Sequence, residues 1–255
     1  MIDSHCHLTD PRLDKQLDDV LARAAQAGVT RMITIGTEPE DDAAAIELCR
    51  KRPDMLRCAI GVHPNYCHEV DEARLPNLRG LQSDPTVVAL GEMGLDYHYD
   101  LADRTRQRKF FEFQLALAAE VNRPVVIHCR EAVDDCLAMM KNYPAVRAVF
   151  HCFTGTLVEG ERILEAGYLI GFTGVVTFKK SDDLRQLARR MPPDRMLVET
   201  DAPYLSPEPF RKQKINEPAF VIHTAAAVAQ ARGIAAAEID RITTENTRRF
   251  FGWGN

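Results

Sequence analysis

The stretch VVIHC at 125–129 is four apolar or β-branched steps interrupted by one imidazole, His128. It lacks the strict alternation of a strand with one wet face. That pattern belongs to a strand buried on both sides, as in a parallel sheet. The histidine stands at its carboxyl end, and a helical stretch follows from about Ala132. The same unit recurs along the chain. The apolar runs are MIDSH at the start, MITIG (32–36), RCAIGVH (57–63), VVALGE (87–92), VVIHC (125–129), AVFHC (148–152), YLIGFTG (168–174) and MLVETD (196–201). Helical periodicity fills the gaps. PRLDKQLDDVLARAAQAG puts Leu13, Leu17, Val20, Leu21 and Ala24 on one face and ends at Gly28, a natural C′ glycine. DRTRQRKFFEFQLALAAEV puts Phe110, Phe113, Leu117 and Val121 at the same spacing, with Pro124 as a stop. Further helices are expected near Asp41, Glu72, Ala132, Leu157, Asp182 and Glu217, and a last one over Ala236–Phe250.

Eight strands, each followed by a helix, give an α/β fold, a single (β/α)8 TIM barrel. An open doubly wound sheet is the rival, but no glycine-rich fingerprint follows any strand. No linker or low-complexity run divides the 255 residues, so one domain over 1–255 is expected. The formal net charge of −5 argues against general coating of nucleic acid and leaves room for a local basic site. Seven cysteines, with no CxxC spacing, disfavour a disulfide framework and fit a reducing compartment. No secretory leader pattern and no membrane-length apolar run is found, so a cytoplasmic protein is expected.

A barrel places its chemistry at the carboxyl ends of the strands. Those ends carry His5 and His7, His63, Glu92, His128, His151, and the pair Glu199 and Asp201. Five of the eight histidines in the chain stand at these positions. One histidine on a strand is as readily structural as functional. Five with carboxylates on one rim make a costly cluster unless something neutralises it, and a divalent cation would. His5 and His7, two apart on a strand, face the same way, and Cys6 faces the other. Cys6, Cys129 and Cys152 are therefore read as small apolar packing residues. Mixed imidazole and carboxylate donors suit Zn, Mn, Fe or Co, and Mg more weakly. Six candidates exceed one tetrahedral ion, so two metals activating a hydroxide are expected.

The runs DSHCHL, GVHP, GEMGLDYH, VIHCRE, FHCFTG, GFTGVVTF and LVETDAPYL, in that order and almost end to end, resemble the motif series of the TatD family of metal-dependent deoxyribonucleases, within the amidohydrolase-like hydrolases. The resemblance implies that His5, His7 and Asp201 hold a first metal, that Glu92 bridges to a second, and that His128 and His151 complete the second. It makes His63 a supporting residue or a phosphate contact, and Glu199 a support. It implies a hydrolase cutting DNA phosphodiesters, with Asp201 moving the proton and Glu92 also counted as catalytic, on single strands or frayed ends as an exonuclease. Two divalent cations per subunit (Zn, Mn or Mg), a DNA partner, no membrane and a monomeric state complete that expectation. The family usually reads RGKRNEP after the eighth strand. Here the stretch is RKQKINEP, with Lys212 in place of glycine and Asn216 retained.

The loops after strands four, five, seven and eight carry Tyr97, His98, Tyr99, Arg130, Phe178, Lys179, Lys180, Tyr204, Arg211, Lys212 and Lys214. Cations bind phosphate and aromatic rings stack on unpaired bases. Tyr97, Arg130, Lys179, Arg211, Lys212 and Asn216 are the substrate-binding candidates. His98 is undecided, and His68 and His223 read as ordinary structural histidines. Two rivals remain at this point. One is an amidohydrolase or lactonase acting on a small carbonyl substrate with the same metals. The other is a non-catalytic metal-binding scaffold.

Overall fold

In the computed structural model, which describes residues 1–99 and 101–254, eight parallel strands pair in chain order. They are β1 (Ile2–Cys6), β2 (Arg31–Ile35), β3 (Leu56–Ile60), β4 (Val87–Asp96), β5 (Val125–Arg130), β6 (Ala148–Phe150), β7 (Leu169–Phe172) and β8 (Met196–Val198). The helices are α1 (Pro11–Asp14), α2 (Leu17–Gln26), α3 (Pro39–Lys51), α4 (Leu78–Leu81), α5 (Arg104–Val121), α6 (Val133–Met140), α7 (Leu157–Glu165), α8 (Asp182–Arg190), α9 (Val221–Arg232) and α10 (Ala236–Phe251). The order is that of a (β/α)8 barrel. Just past β8, Ala202 pairs in parallel with Cys6 of β1, so the last strand returns to the first.

The chain forms two compact units. One comprises residues 1–34 with the segment from 152 onward. Its strand β7 packs against α7, β8 against α9 and α10, and β1 against α10. Ile2, Ile33, Ile170, Phe172, Leu197 and Val198 are buried there. The other unit is residues 35–151, with β3–β6 and α3–α6. Ile60, Leu90, Leu95, Val125, Ile127 and Phe150 form its interior with Phe110 and Phe111. Removing such side chains from water contributes roughly 1.5–3 kcal/mol each before chain entropy is charged.

Several local expectations are corrected. β3 stops at Ile60, so His63 lies on the loop beyond it. β4 does not end at Glu92 but runs on to Asp96, through a register shift between Leu90 and Met93. Gly94 makes this possible. Its φ is +137°, and a Cβ there would lie 2.0 Å from the carbonyl oxygen of His128. The first helical stretch is broken at Lys15–Gln16 into α1 and α2. The region near Glu72 is a 3-10 turn containing Pro76, followed by the four-residue α4.

On α5 the buried face is Gln107, Phe110, Phe111, Gln114, Leu115, Leu117 and Ala118, rotated from the expected one. The two glutamines explain the rotation. Gln107 accepts from the backbone N–H of Asp96 at 2.8 Å and donates to its carbonyl at 2.9 Å. Gln114 accepts from Val62 N–H at 2.8 Å and donates to Val62 O at 3.1 Å. Both side chains satisfy buried backbone groups where a neighbouring strand has ended. They fix the chain beside Asp96 and His63.

All seven cysteines are free thiols. Among the described residues, no single helix is long and apolar enough to cross a membrane.

Candidate metal centre

In the first unit, β1 is buried along its whole length. His5 and His7 place their Nε2 atoms 3.3 Å apart. Asp201 Oδ1 lies 3.6 Å from His5 Nε2 and 3.4 Å from His7 Nε2. Asp201 adopts φ +57°, a left-handed backbone that turns its side chain out of the strand path. That turn is clamped on both sides. Asp201 N–H donates to His5 O at 2.9 Å, and His7 N–H donates to Ala202 O at 2.7 Å. Asn216, fully buried, donates to the carbonyls of Thr200 and Tyr204 at 2.9 and 2.6 Å. Asn216 therefore shapes the loop around Asp201.

Two buried carboxyls support the same seam. Asp3 accepts from Thr200 Oγ1 at 2.6 Å, Thr200 N–H at 2.9 Å and His5 N–H at 3.3 Å. Burial pushes its pKa up to about 8 despite those bonds. Glu199 accepts from Ser4 Oγ at 3.0 Å and from Cys152 N–H at 2.6 Å. Gly171 leaves room for it, since a Cβ there would come within 2.6 Å of both Glu199 oxygens. Cys6 is buried with its thiol on Ile33 O at 3.5 Å, as its strand parity requires. Burial holds that thiol far above the range in which it would ionise.

In the second unit, Glu92 Oε1 is the focus of three imidazoles. It lies 2.6 Å from His151 Nε2, 2.8 Å from His128 Nδ1 and 3.3 Å from His63 Nε2. Burial alone would raise the Glu92 pKa, but His151, His63 and His128 outweigh it and hold the carboxyl well below the usual carboxylate range.

Hydrogen bonds on the far side of two rings set their tautomers. His128 Nε2 faces Asp96 Oδ2 at 2.9 Å. A neutral imidazole donating there, as when a cation is bound, would keep its lone pair on Nδ1, the atom turned toward Glu92. This is the carboxylate–histidine arrangement that orients metal ligands. Asp96 is in turn held by Asn65 Nδ2 and by the N–H groups of His98 and Tyr99. Against its burial, the His128 bond and these donors keep its pKa low. His63 is the opposite case. Its Nδ1 accepts the N–H of Asn65 at 2.9 Å, so the neutral ring carries its proton on Nε2. Burial, then the neighbouring His128, lower its pKa to about 4. His63 thus presents an N–H to the centre; for His128, burial lowers the pKa but the bonds to Asp96 and Glu92 outweigh it and raise it.

The sets His5–His7–Asp201 and His63–Glu92–His128 each bring one donor atom per residue within 4.8 Å of the others. In each set imidazole nitrogens converge on a carboxylate oxygen in a largely buried setting. They suit a divalent cation of the imidazole- and carboxylate-binding class.

Most of the remaining sequence candidates have partners of their own. Tyr97 donates to Asp135 at 2.5 Å, and Arg104 lies 4.1 Å above its ring. Arg130 lies 4.8 Å above exposed Tyr99. His98 pairs with Glu131 at 2.7 Å. Arg211 lies 4.1 Å above Phe178, and Lys179 and Lys212 are exposed. His223 packs beside Phe210 and Phe220 on α9. Sequence reasoning missed Asp96, Asn65 and Asp3. The available signal for Asp96 was its place one strand-length past Glu92 in GEMGLD.

The chain is 40% identical over 257 residues to the 3'-5' ssDNA/RNA exonuclease TatD of Erwinia tasmaniensis, covering 98% of this chain and 99% of that protein. It is 36% identical over 253 residues to a metal-dependent hydrolase, YabD, of Bacillus subtilis, covering 98% of each. The crystal structure of YJJV, a TatD homologue from Escherichia coli K12, superposes with a TM-score of 0.94 at 31% identity, covering 100% of this chain and 98% of that one. The (β/α)8 barrel is thus common to both. The family described as TatD related DNase matches residues 2–252, and the chain belongs to this family of metal-dependent hydrolytic nucleases.

Proposed function

We propose that the protein is an exonuclease that trims single-stranded or frayed DNA ends using two divalent cations (Zn, Mn or Mg). The observation that carries this reading is the pair of nitrogen-and-oxygen donor groups, one closed by Asp201 and the other centred on Glu92. The name of the Erwinia relative supports the choice of a single strand and of exonucleolytic action. His5, His7 and Asp201 would hold one ion. Glu92, His128 and His151 would hold the other, and the family resemblance assigns Glu92 to both. Cations bound there would lower the pKa of water and neutralise charge gathering on the phosphodiester.

The residues of the chain do the rest. Asp201, with 13% of its side chain exposed, is the one carboxylate of the two groups open enough to accept a proton from attacking water and return it to the leaving oxygen. His63, neutral and protonated on Nε2, donates a hydrogen bond to a phosphate oxygen. Asp96 keeps His128 in the ligating tautomer. Arg130, Lys179, Arg211 and Lys212 supply positive charge to the strand, and Tyr97, on the loop after β4, offers a ring to an unpaired base. The seven free thiols fit a reducing, cytoplasmic setting, with residues 1–255 acting as one catalytic domain.

The test is end-labelled single-stranded DNA, incubated with chelator-stripped protein before and after divalent metal is restored, beside a panel of lactones and small esters. Stepwise shortening that returns only with metal is expected. Intact DNA together with rapid turnover of a lactone would replace this reading by the carbonyl hydrolase. Metal binding with no turnover at all would leave a scaffold.

A further inference from the structure

An open groove of about 650 Å³ runs along α9 in the first unit, walled on its other side by the turn Gly174–Thr177 and the residues after it. Phe178, Lys179, Glu208, His223, Ala227 and Gln230 are among its lining residues. Its size falls in the range of ligand sites. The alanines of α9 keep it open. The wall opposite is stiffened by Arg185, which donates to the carbonyls of Val176, Phe178 and Lys179 at 3.0, 2.7 and 3.2 Å.

Its lining carries two cations, Lys179 and Arg185, and one carboxylate, Glu208. Four of the eight lysines of the chain, Lys179, Lys180, Lys212 and Lys214, stand with Arg211 on the two loops after β7 and β8. Among the described residues, none of these five cations forms an ion pair with a carboxylate. By contrast, Lys51 pairs with Glu47, and Lys109 with Glu72. Arg211 instead lies over Phe178. Lys179 lines the groove and Arg211 reaches it through Phe178, so positive charge stands beside two ring systems and two edge-reading polar groups, one of them the Glu208 carboxylate. Burial lowers the His223 pKa, favouring the uncharged ring. A nucleotide matches all three features: a flat π-face, amino and carbonyl groups on the base edge, and an attached phosphate.

We propose that this groove is a second, non-catalytic site for the single strand, holding one unpaired nucleotide with its base against Phe178 and His223, its edge toward Glu208 and Gln230, and its phosphate beside Lys179. The proposal rests on the nuclease reading above and adds a strand-length dependence to it. The two donor groups account for cutting one phosphodiester, and the groove accounts for preferring a longer strand.

The experiment compares KM for a dinucleotide and for a single strand of about eight nucleotides, in wild type, Ala227→Phe and Gln230→Trp. The first variant fills the groove from a half-buried position. The second fills it from an exposed one, where folding is undisturbed. In wild type the longer strand should bind better by on the order of tenfold, the value of one stacked base. Both variants should abolish that gain and leave dinucleotide kcat/KM within about twofold. A length gain that survives in Gln230→Trp overturns the groove and leaves the nuclease intact. An equal loss on the dinucleotide also overturns it, because the effect then lies at the metal groups. Wild type that cuts neither substrate removes the nuclease reading, and the groove with it.

Discussion

One backbone N–H separates the roles of two neighbouring histidines. Asn65 donates to His63 Nδ1, so that ring offers a proton to the centre, whereas Asp96 holds Nε2 of His128 and leaves Nδ1 to face Glu92. Asp96→Asn should therefore lower metal affinity by about ten- to a hundredfold, measured by competition with a chromophoric chelator. Asp201→Asn should retain most metal and lose activity by about 10²–10⁴-fold; unchanged cleavage would remove Asp201 from the proton path. Cys6→Ala should leave metal content nearly intact, whereas His5→Ala should empty the first group. His63 also predicts a pH effect. Unfolded, it binds a proton below about 6.5; folded, it does so only below about 4. The unfolded state takes up more protons at this group in that window, so the contribution of His63 to metal-free stability falls with pH from about 6.5 to about 4, while buried Asp3, with its pKa pushed up to about 8, acts in the opposite sense. The loss from His63 alone is about 3 kcal/mol. Urea titrations should therefore show wild type losing stability relative to His63→Gln over that window.

At the scale of elements, the ends of strands β1, β5 and β6 were legible because apolar runs stopping at histidine are uncommon and parallel-strand burial leaves little alternation. Glu92 stood out for the same reason. Asp96 did not, because β4 crosses a register shift and two glycines before it ends, and glycines read locally as a stop. The face of α5 was misjudged because Gln107 and Gln114 count as surface residues until their backbone partners are known. Nothing local marks those partners, which lie 11 and 52 positions away. The break between α1 and α2 carries no proline or glycine. Asn216 was legible as a motif residue, but its work on two carbonyls of the Asp201 turn was not. Asn216→Ala should destabilise by about 1–3 kcal/mol through those unsatisfied carbonyls, read by denaturant midpoint. It should weaken the first metal group more than the second.

For the whole molecule, ions that bind only the folded chain should stabilise it. Metal at about 1,000 times its dissociation constant adds roughly 4 kcal/mol. For a chain of this size that is a rise of about 8–16 °C in Tm when metal is restored to stripped protein. A Tm indifferent to metal would mean that the donor groups bind nothing. The two groups also differ in when they can exist during synthesis. His63, Glu92, His128 and His151 all lie within residues 35–151, so the ribosome delivers that set as one continuous segment. His7 and Asp201 are 201 − 7 = 194 positions apart. Strand β1 is made first, yet its histidines must wait for the chain beyond β8 before their carboxylate arrives. Chains emerge at about 5–20 residues per second and fold in that order, so this wait lasts on the order of ten seconds or more. On the proposed assignment, metal capture by the first group would have to follow synthesis of the chain beyond β8, and a nascent chain stalled before that point would lack Asp201.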